Sequence, residues 1–222
     1  PTQTPKSMQE AVSKMLDIPI KNISLKMTRM GGGFGRRLYT HFGLEAAAIS
    51  KKIGAPVKMV YTREDDMTQG TYRPAYRSTY KAGLDENNNL IAFSVKGVGL
   101  PDGPVIPDRF PAGSVDNYIG QNKSSFTNIS VGAWTAPRSH FTAGAEQSFL
   151  DEVAELAGKD PIDFRLELFY RALKNPVGDE YDYDAERYAG VLKLVKEKSD
   201  WGNDGSSSKK GVAAYFCHDS YV

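Results

Sequence analysis

The 222-residue sequence has a single cysteine, Cys217, and three histidines, His41, His140 and His218. One thiol excludes an internal disulfide framework and any CxxC-type zinc or iron–sulfur site within the chain. The histidines have no spacing that sets two of them on one face as ligands, so no metal-binding residue is expected. No apolar run approaches the ~20 residues that span a bilayer. A charge excess is missing too: 28 lysines and arginines stand against 27 aspartates and glutamates, so no basic field advertises nucleic acid or acidic lipid. A GxSxG nucleophile elbow, a GK[ST] phosphate-loop ending and internal repeats are also absent.

What is present points to a folded, mixed domain. Hydrophobic residues make up 40% of the chain, enough for a sizeable core in one large or two small domains. Thr4–Pro5 reads as an N-cap with proline at the first helical position, and Met8, Val12, Met15 and Leu16 recur at helical spacing, predicting a helix over 5–17. "ISLKM" (23–27) predicts a strand, "FGLEAAAISKKIG" a helix stopped by Gly54 and Pro56, and "PVKMVYT" a second strand over 57–62. Strand, loop, helix and strand form a βαβ unit, with parallel strands and a right-handed crossover.

"YRSTYKAGLDENNNLIAFSVKGVGL" predicts a hairpin around an Asn-rich turn, 101–127 a long loop, and "NISVGAWTAPRS" a strand running into a turn. Two helices joined at "GKDP", a helix over 184–198, a linker and a partial strand complete the chain. The expected fold class is α+β: a two-layer mixed sheet with helices, containing the βαβ unit. The opening "PTQTPKSMQEAV" and a close one strand after "NDGSSSKK" read as a piece excised from a longer polypeptide, in which a site can be half present.

The segment that asks for an explanation is "MGGGFGRR" (30–37). Glycine at 31, 32, 33 and 35 lets backbone N–H groups converge on one concavity and lets a ligand approach the main chain. Anion binding is the common use of such a loop near a helix start. A dinucleotide GxGxxG pattern would need glycine where Arg36 stands. The alternative is a plain strand-to-helix turn, with Phe34 stapling it to the core. Arg36 and Arg37 read as a bidentate anion clamp or as a solvated pair. "TREDDM" (62–67) reads as an acidic cap rather than a metal site, and Cys217 as a small buried hydrophobe. From the residues alone the reading stops at a ligand-binding α+β domain without an identifiable catalytic base.

"MGGGFGRR", "EAAAISKKIGAPVKMVYTREDDM", "GAWTAPRS" and "EQSFLDEVAELAGKDPIDFRLEL", in that order over residues 1–200, resemble the molybdopterin-binding large subunit of the xanthine dehydrogenase and aldehyde oxidase family. "GRR" and "REDDMTQGTYRP" most resemble its isoquinoline 1-oxidoreductase β-subunit branch. The resemblance implies an oxidoreductase that hydroxylates an N-heterocycle or aldehyde with oxygen from water. It implies molybdopterin cytosine dinucleotide as the molybdenum cofactor and a [2Fe–2S] partner subunit or domain as electron acceptor. It also implies cofactor contacts from Gln3, Gly32, Gly33, Phe34, Gly35, Arg36, Trp134 and Thr135. Gln3 stands 31 residues before Phe34, as in the family's "TQ" element, and would offer its amide to an oxo ligand.

Some positions depart from the family. Thr135 stands where an arginine commonly follows "GAW", with Arg138 three residues on, and Leu38 stands where purine-oxidising members carry a glutamate. The family's catalytic glutamate belongs to a downstream element, so no catalytic residue is expected in this chain, which alone would be inactive and free of cofactor. The expected division is 1–135 for the first part of a cofactor-binding domain, 136–200 for a helical segment, 201–210 for a linker and 211–222 for the start of a second, truncated cofactor-binding domain. A nucleotide-binding βαβ domain and a decayed, non-catalytic interaction module are the alternatives. Periplasm and cytoplasm both stay open as compartments.

Overall fold

A computed structural model describes residues 2–178, 181–203 and 209–222, so half of the expected linker, 204–208, lies outside the described residues. The chain forms two compact units: one runs to Pro74 and includes Asn128–Pro137, and the other comprises Ala75–Thr127 and Arg138–Val222. The units interleave along the chain, whereas the boundaries read from sequence are linear.

The first unit holds three helices, α1 (Pro5–Leu16), α2 (His41–Ile53) and α3 (Arg63–Thr68). Pro5 opens α1, and Gly54 ends α2 in the left-handed region at φ 65°. Thr62 caps α3 by accepting from the Asp65 N–H at 3.1 Å, while the Asp65 carboxylate accepts from the Thr62 N–H at 3.2 Å. The acidic-cap reading of "TREDDM" is thereby explained.

The expected βαβ unit does not form. Residues 23–27 and 57–62 are extended, but neither segment belongs to a strand ladder among the described residues. Their side chains do largely alternate, half-buried Ile23, Leu25, Val57, Met59 and Tyr61 with exposed neighbours. Alternation fixes an extended backbone and a covered face; a ladder also needs a partner strand in register, which these segments do not meet. The strand expected in "NISVGAW" is reduced to a single parallel bridge between Tyr72 and Val131.

The second unit carries the sheet. β1 (Ala75–Leu84) and β2 (Leu90–Leu100) form the expected antiparallel hairpin. Its turn is built by Asp85, whose carboxylate accepts from the N–H groups of Asn87 and Asn89 at 2.9 and 2.7 Å. β3 (Asn117–Ser124) adds in parallel to β2, giving a mixed sheet of order β1-β2-β3. That strand lies within the expected loop 101–127. Its sequence NYIGQNKS has too few apolar residues to alternate, and its pairing with β2 makes it a strand. Asn122 ties the preceding loop back, accepting from Val105 N–H and donating to the Gly103 carbonyl, both at 3.2 Å.

One sheet face packs on α4 (Pro137–Leu156), where the rings of Tyr80 and Phe93 lie 5.3 and 5.8 Å from Phe149. α5 (Pro161–Lys174) starts where the "GKDP" joint predicts: Gly158 takes φ 67°, and Asp160 accepts from the Ile162 and Asp163 N–H groups. With α6 (Ala185–Lys198) it encloses a core in which Phe110 and Phe169 stack at 4.3 Å and Tyr188 lies 4.5 Å from Phe169. The end of the chain forms a short pair, β4 (Phe216–Cys217) and β5 (Ser220–Tyr221). Cys217 is half-buried there rather than fully enclosed. The α+β class holds, without the βαβ unit. No helix among the described residues is long and apolar enough to cross a membrane.

Candidate functional site

All eight residues expected at a cofactor belong to the first unit, and the structure brings them together around the glycine loop. Gly33 lies so close to Gln3 that a Cβ there would overlap the glutamine side chain. Gly35 needs glycine twice over: it takes φ 77°, and a Cβ would meet the Ala133 carbonyl oxygen at 2.6 Å. A Cβ on Gly32 would meet the Phe34 ring at 2.6 Å. Phe34 itself sits at φ 51° and is 68% exposed, so it does not staple the loop to a core.

Both flanks of the loop are tied down by main-chain bonds. On one side the Gln3 N–H and the Thr2 hydroxyl donate to the Arg37 carbonyl at 2.9 and 3.3 Å, and the Thr4 hydroxyl donates to the Leu38 carbonyl at 2.7 Å. On the other, the Thr135 N–H donates to the Phe34 carbonyl at 3.0 Å and the Ala133 N–H to the Tyr39 hydroxyl at 2.7 Å. Trp134 donates its Nε1–H to the Thr71 carbonyl at 2.9 Å. Arg37 closes the loop on itself, with Nη1 2.8 Å from the Gly32 carbonyl.

The N–H groups from Gly31 to Arg36 are left with a different fate. Among the described residues none of them donates a hydrogen bond to protein, and the Gln3 amide makes none through its side chain. The stretch thus keeps neutral donors without protein acceptors, and four of its six residues are glycines without a Cβ.

Arg36 serves this surface from behind. Its side chain is buried, with Nη2 3.0 Å from Asp66 Oδ1 and Nη1 3.3 Å from His41 Nε2. The guanidinium also lies over the rings of Phe42 and Trp134, at 4.7 and 5.4 Å. Burial, and then the charge of Arg36, hold His41 below its ordinary pKa against the opposing pull of Glu45, so a neutral Nε2 accepts from Arg36. Neither reading of Arg36 from sequence, surface clamp or solvated pair, describes this internal pairing. A cavity of about 490 Å³ adjoins it, lined by Arg36, Arg37, Phe42, Tyr61, Arg63 and Asp66 among others. Tyr61 donates to the Glu45 carboxylate there; burial, then that bond, push the phenol up to about 12.

Several residues of this arrangement were not singled out by sequence. Thr2 and Thr4 flank Gln3 as "TQT", a readable signal for hydroxyls that fix it from both sides. Asp65 and Asp66 are neighbours with separate tasks, capping α3 and pairing Arg36. Tyr39, His41 and Thr71 gave no local signal, because each acts on a segment distant in the chain. No group of three or more metal-binding side chains occurs among the described residues.

Comparison with known proteins addresses what such a loop belongs to. A membrane-bound aldehyde dehydrogenase (pyrroloquinoline-quinone) of Gluconacetobacter polyoxogenes is 29% identical over 86% of this chain and 28% of its own length. The isoquinoline 1-oxidoreductase subunit beta of Brevundimonas diminuta is 27% identical over 99% of this chain and 29% of its own. The crystal structure of quinoline 2-oxidoreductase from Pseudomonas putida 86 shares the fold with a TM-score of 0.66 at 20% identity, over 90% of this chain and 28% of that one. The chain thus spans less than a third of these relatives. Residues 1–169 match the family model of the molybdopterin cofactor-binding domain, and the chain belongs to that family.

Proposed function

We propose that this chain supplies one wall of the cofactor site of a molybdenum hydroxylase, which oxidises an N-heterocycle or an aldehyde with water as oxygen source and passes electrons to a [2Fe–2S] partner. The observation that carries the reading is the row of N–H donors from Gly31 to Arg36, without protein acceptors and beside the Gln3 amide. These donors suit oxygen and sulfur acceptors of a metal complex, because they offer hydrogen bonds without adding net charge. When bound, the cofactor supplies the redox and oxygen-transfer chemistry.

The chain's own residues bind and orient. Gly32, Gly33 and Gly35 bring the main chain close, and the carbonyls of Arg37 and Leu38 hold the Thr2–Thr4 segment so that Gln3 stands against Gly33. The exposed ring of Phe34 offers a face to a flat, uncharged substrate. Thr135 brings a hydroxyl where the family's arginine would bring charge, and Leu38 an apolar side chain, both of which favour neutral substrates over purines. Arg36 acts as a strut against the face of Trp134. The cytosine dinucleotide form of the cofactor follows from the isoquinoline branch. Its tail and the catalytic glutamate are assigned to polypeptide outside this chain, so residues 1–222 alone hold no cofactor and are inactive.

The test is molybdenum per polypeptide by inductively coupled plasma mass spectrometry. It compares the full-length parent, purified with its native partner, with chain 1–222. Near one molybdenum in the parent and none in the short chain is expected, with Gly33→Val removing the metal from the parent. A fully matured parent without molybdenum would overturn the reading. Pyrroloquinoline quinone, for which one relative is named, and a non-catalytic interaction role would then be examined.

A further inference from the structure

The three-stranded sheet is covered on one face. Tyr80, Phe93 and Tyr118 share the face toward α4, whereas Arg77, Lys81, Lys96 and Lys123 fall on the other by strand alternation, and all four are exposed. The register gathers them. Arg77 pairs with Val98 and Val98 with Lys123, Lys96 sits between Thr79 and Gln121, and Lys81 opposes Ser94, which opposes Ile119. At ~4.8 Å between strands and ~6.8 Å between same-face neighbours, the four cations lie within about 17 Å of one another.

The three strands contain no aspartate or glutamate at any position. Among the described residues none of the four cations takes part in an ion pair or a side-chain hydrogen bond. The whole chain is balanced at 28 basic against 27 acidic residues, so this is local segregation of charge. Four like charges at this spacing repel one another, and among the described residues no ion pair offsets them.

The rest of the face says which anion would. It bears no aromatic ring on which a base could stack, and that argues against nucleic acid. Val98 is 43% exposed between Arg77 and Lys123, and Ile119 is 46% exposed at the corner across Ser94 from Lys81, so apolar side chains are interspersed with the cations, a mixture that suits a protein surface. Thr79, Ser94 and Gln121 keep the face too polar for a buried core, which fits a separable subunit better than further polypeptide of the same subunit.

We propose that the uncovered face of the β1-β2-β3 sheet docks a carboxylate-rich surface of a partner subunit. The inference rests on the reading that the enzyme passes electrons to such a subunit. The face is smaller than the ~800 Å² per partner of a standard interface, so its charges act mainly on encounter and register.

The test uses the full-length parent and its own [2Fe–2S] subunit as probe, with Kd measured by calorimetry in 0.05 and 0.3 M NaCl. Wild-type affinity should fall at least tenfold between the two salts. R77Q/K81Q/K96Q/K123Q should bind at least tenfold more weakly at low salt and lose that salt dependence, with unchanged melting and molybdenum content. R77K/K81R/K96R/K123R should bind as wild type does. If the quadruple variant melts early, K96Q/K123Q carries the comparison, with a reduced but salt-coupled loss expected. Binding of the glutamine variant within twofold of wild type, or salt-independent wild-type binding, overturns the proposal. So does tighter binding of a 20-base-pair DNA or of anionic vesicles than of the subunit. A parent without molybdenum defeats the proposed function while the Kd values still decide the docking face.

Discussion

In the unit that carries the sheet, Phe93, Phe110, Leu150, Phe164, Phe169 and Leu192 are buried in one cluster. In the unit that carries the glycine loop, Met8 is the one buried hydrophobic side chain among the described residues, while Met27, Ile53, Val60 and Met67 stand exposed. Apolar burial and interlocked aromatics hold the first arrangement. The second is held by main-chain carbonyls, hydroxyls and one buried guanidinium. The difference teaches that the sheet unit can hold its own shape, whereas the loop unit presents apolar surface and unladdered extended segments to whatever else it meets.

The contrast breaks hardest in the aromatic core. Phe169→Ala should cost ~3–5 kcal/mol in urea unfolding, because the cavity it leaves is walled by Phe110, Tyr183 and Tyr188. Met8→Ala should cost less, ~1–2 kcal/mol, since its surroundings are only partly covered. A loss at Met8 as large as that at Phe169 would erase the distinction between the units.

Glu146 sharpens the comparison through pH. It is buried on α4 beside a cavity lined by Tyr80, Tyr118, Tyr215 and Arg109. Burial pushes its carboxyl up to about 8, against the Gln147 hydrogen bond and the charges of Arg165 and Arg109. The folded chain therefore keeps a proton that the unfolded chain releases near 4.5. Its contribution is complete below that lower value and is lost as pH rises toward about 8. Glu146→Gln should remove this decline, gaining about 3 kcal/mol on wild type between pH 5 and 8. Parallel stability curves for the two proteins would show that Glu146 ionises freely in the fold.

Asp66→Asn tests the loop unit by itself. Arg36 keeps His41 but loses its carboxylate, at a local cost of ~1–3 kcal/mol. Amide exchange over Gly31–Arg37 and α2 should quicken about tenfold or more, while Leu150 and Phe169 amides keep their protection. Gly33→Ala should have the smallest effect on stability, ~1 kcal/mol, because Gln3 is exposed and can be displaced. Its signature is a shifted Gln3 side-chain amide resonance with the aromatic core unchanged.

Legibility in the sequence follows the range of the interaction. Helix α1 from Thr4–Pro5, the end of α2 at Gly54, the Asp85 hairpin and the joint at Gly158 and Asp160 were readable, since each is set by residues a few positions apart. The βαβ unit failed because Ile23–Met27 and Val57–Thr62 carry strand-like alternation but no register partner. β3 was missed for the converse reason, a weak local pattern completed by pairing with β2. In the candidate site the glycines, Phe34 and Gln3 were legible from motif and spacing. The pairing of Arg36 with Asp66, thirty residues on, and the tie from Tyr39 to Ala133 were not.

The two tryptophans of the chain fall one to each unit. Trp134 lies under the Arg36 guanidinium and donates to the Thr71 carbonyl, while Trp201 donates to the Asp160 carboxylate at the start of α5. The molecule thus carries its own pair of optical reporters. Trp134→Phe leaves an emission that follows the sheet unit, and Trp201→Phe one that follows the glycine loop. The order in which the two signals change during denaturation can therefore be read from intrinsic fluorescence without a label.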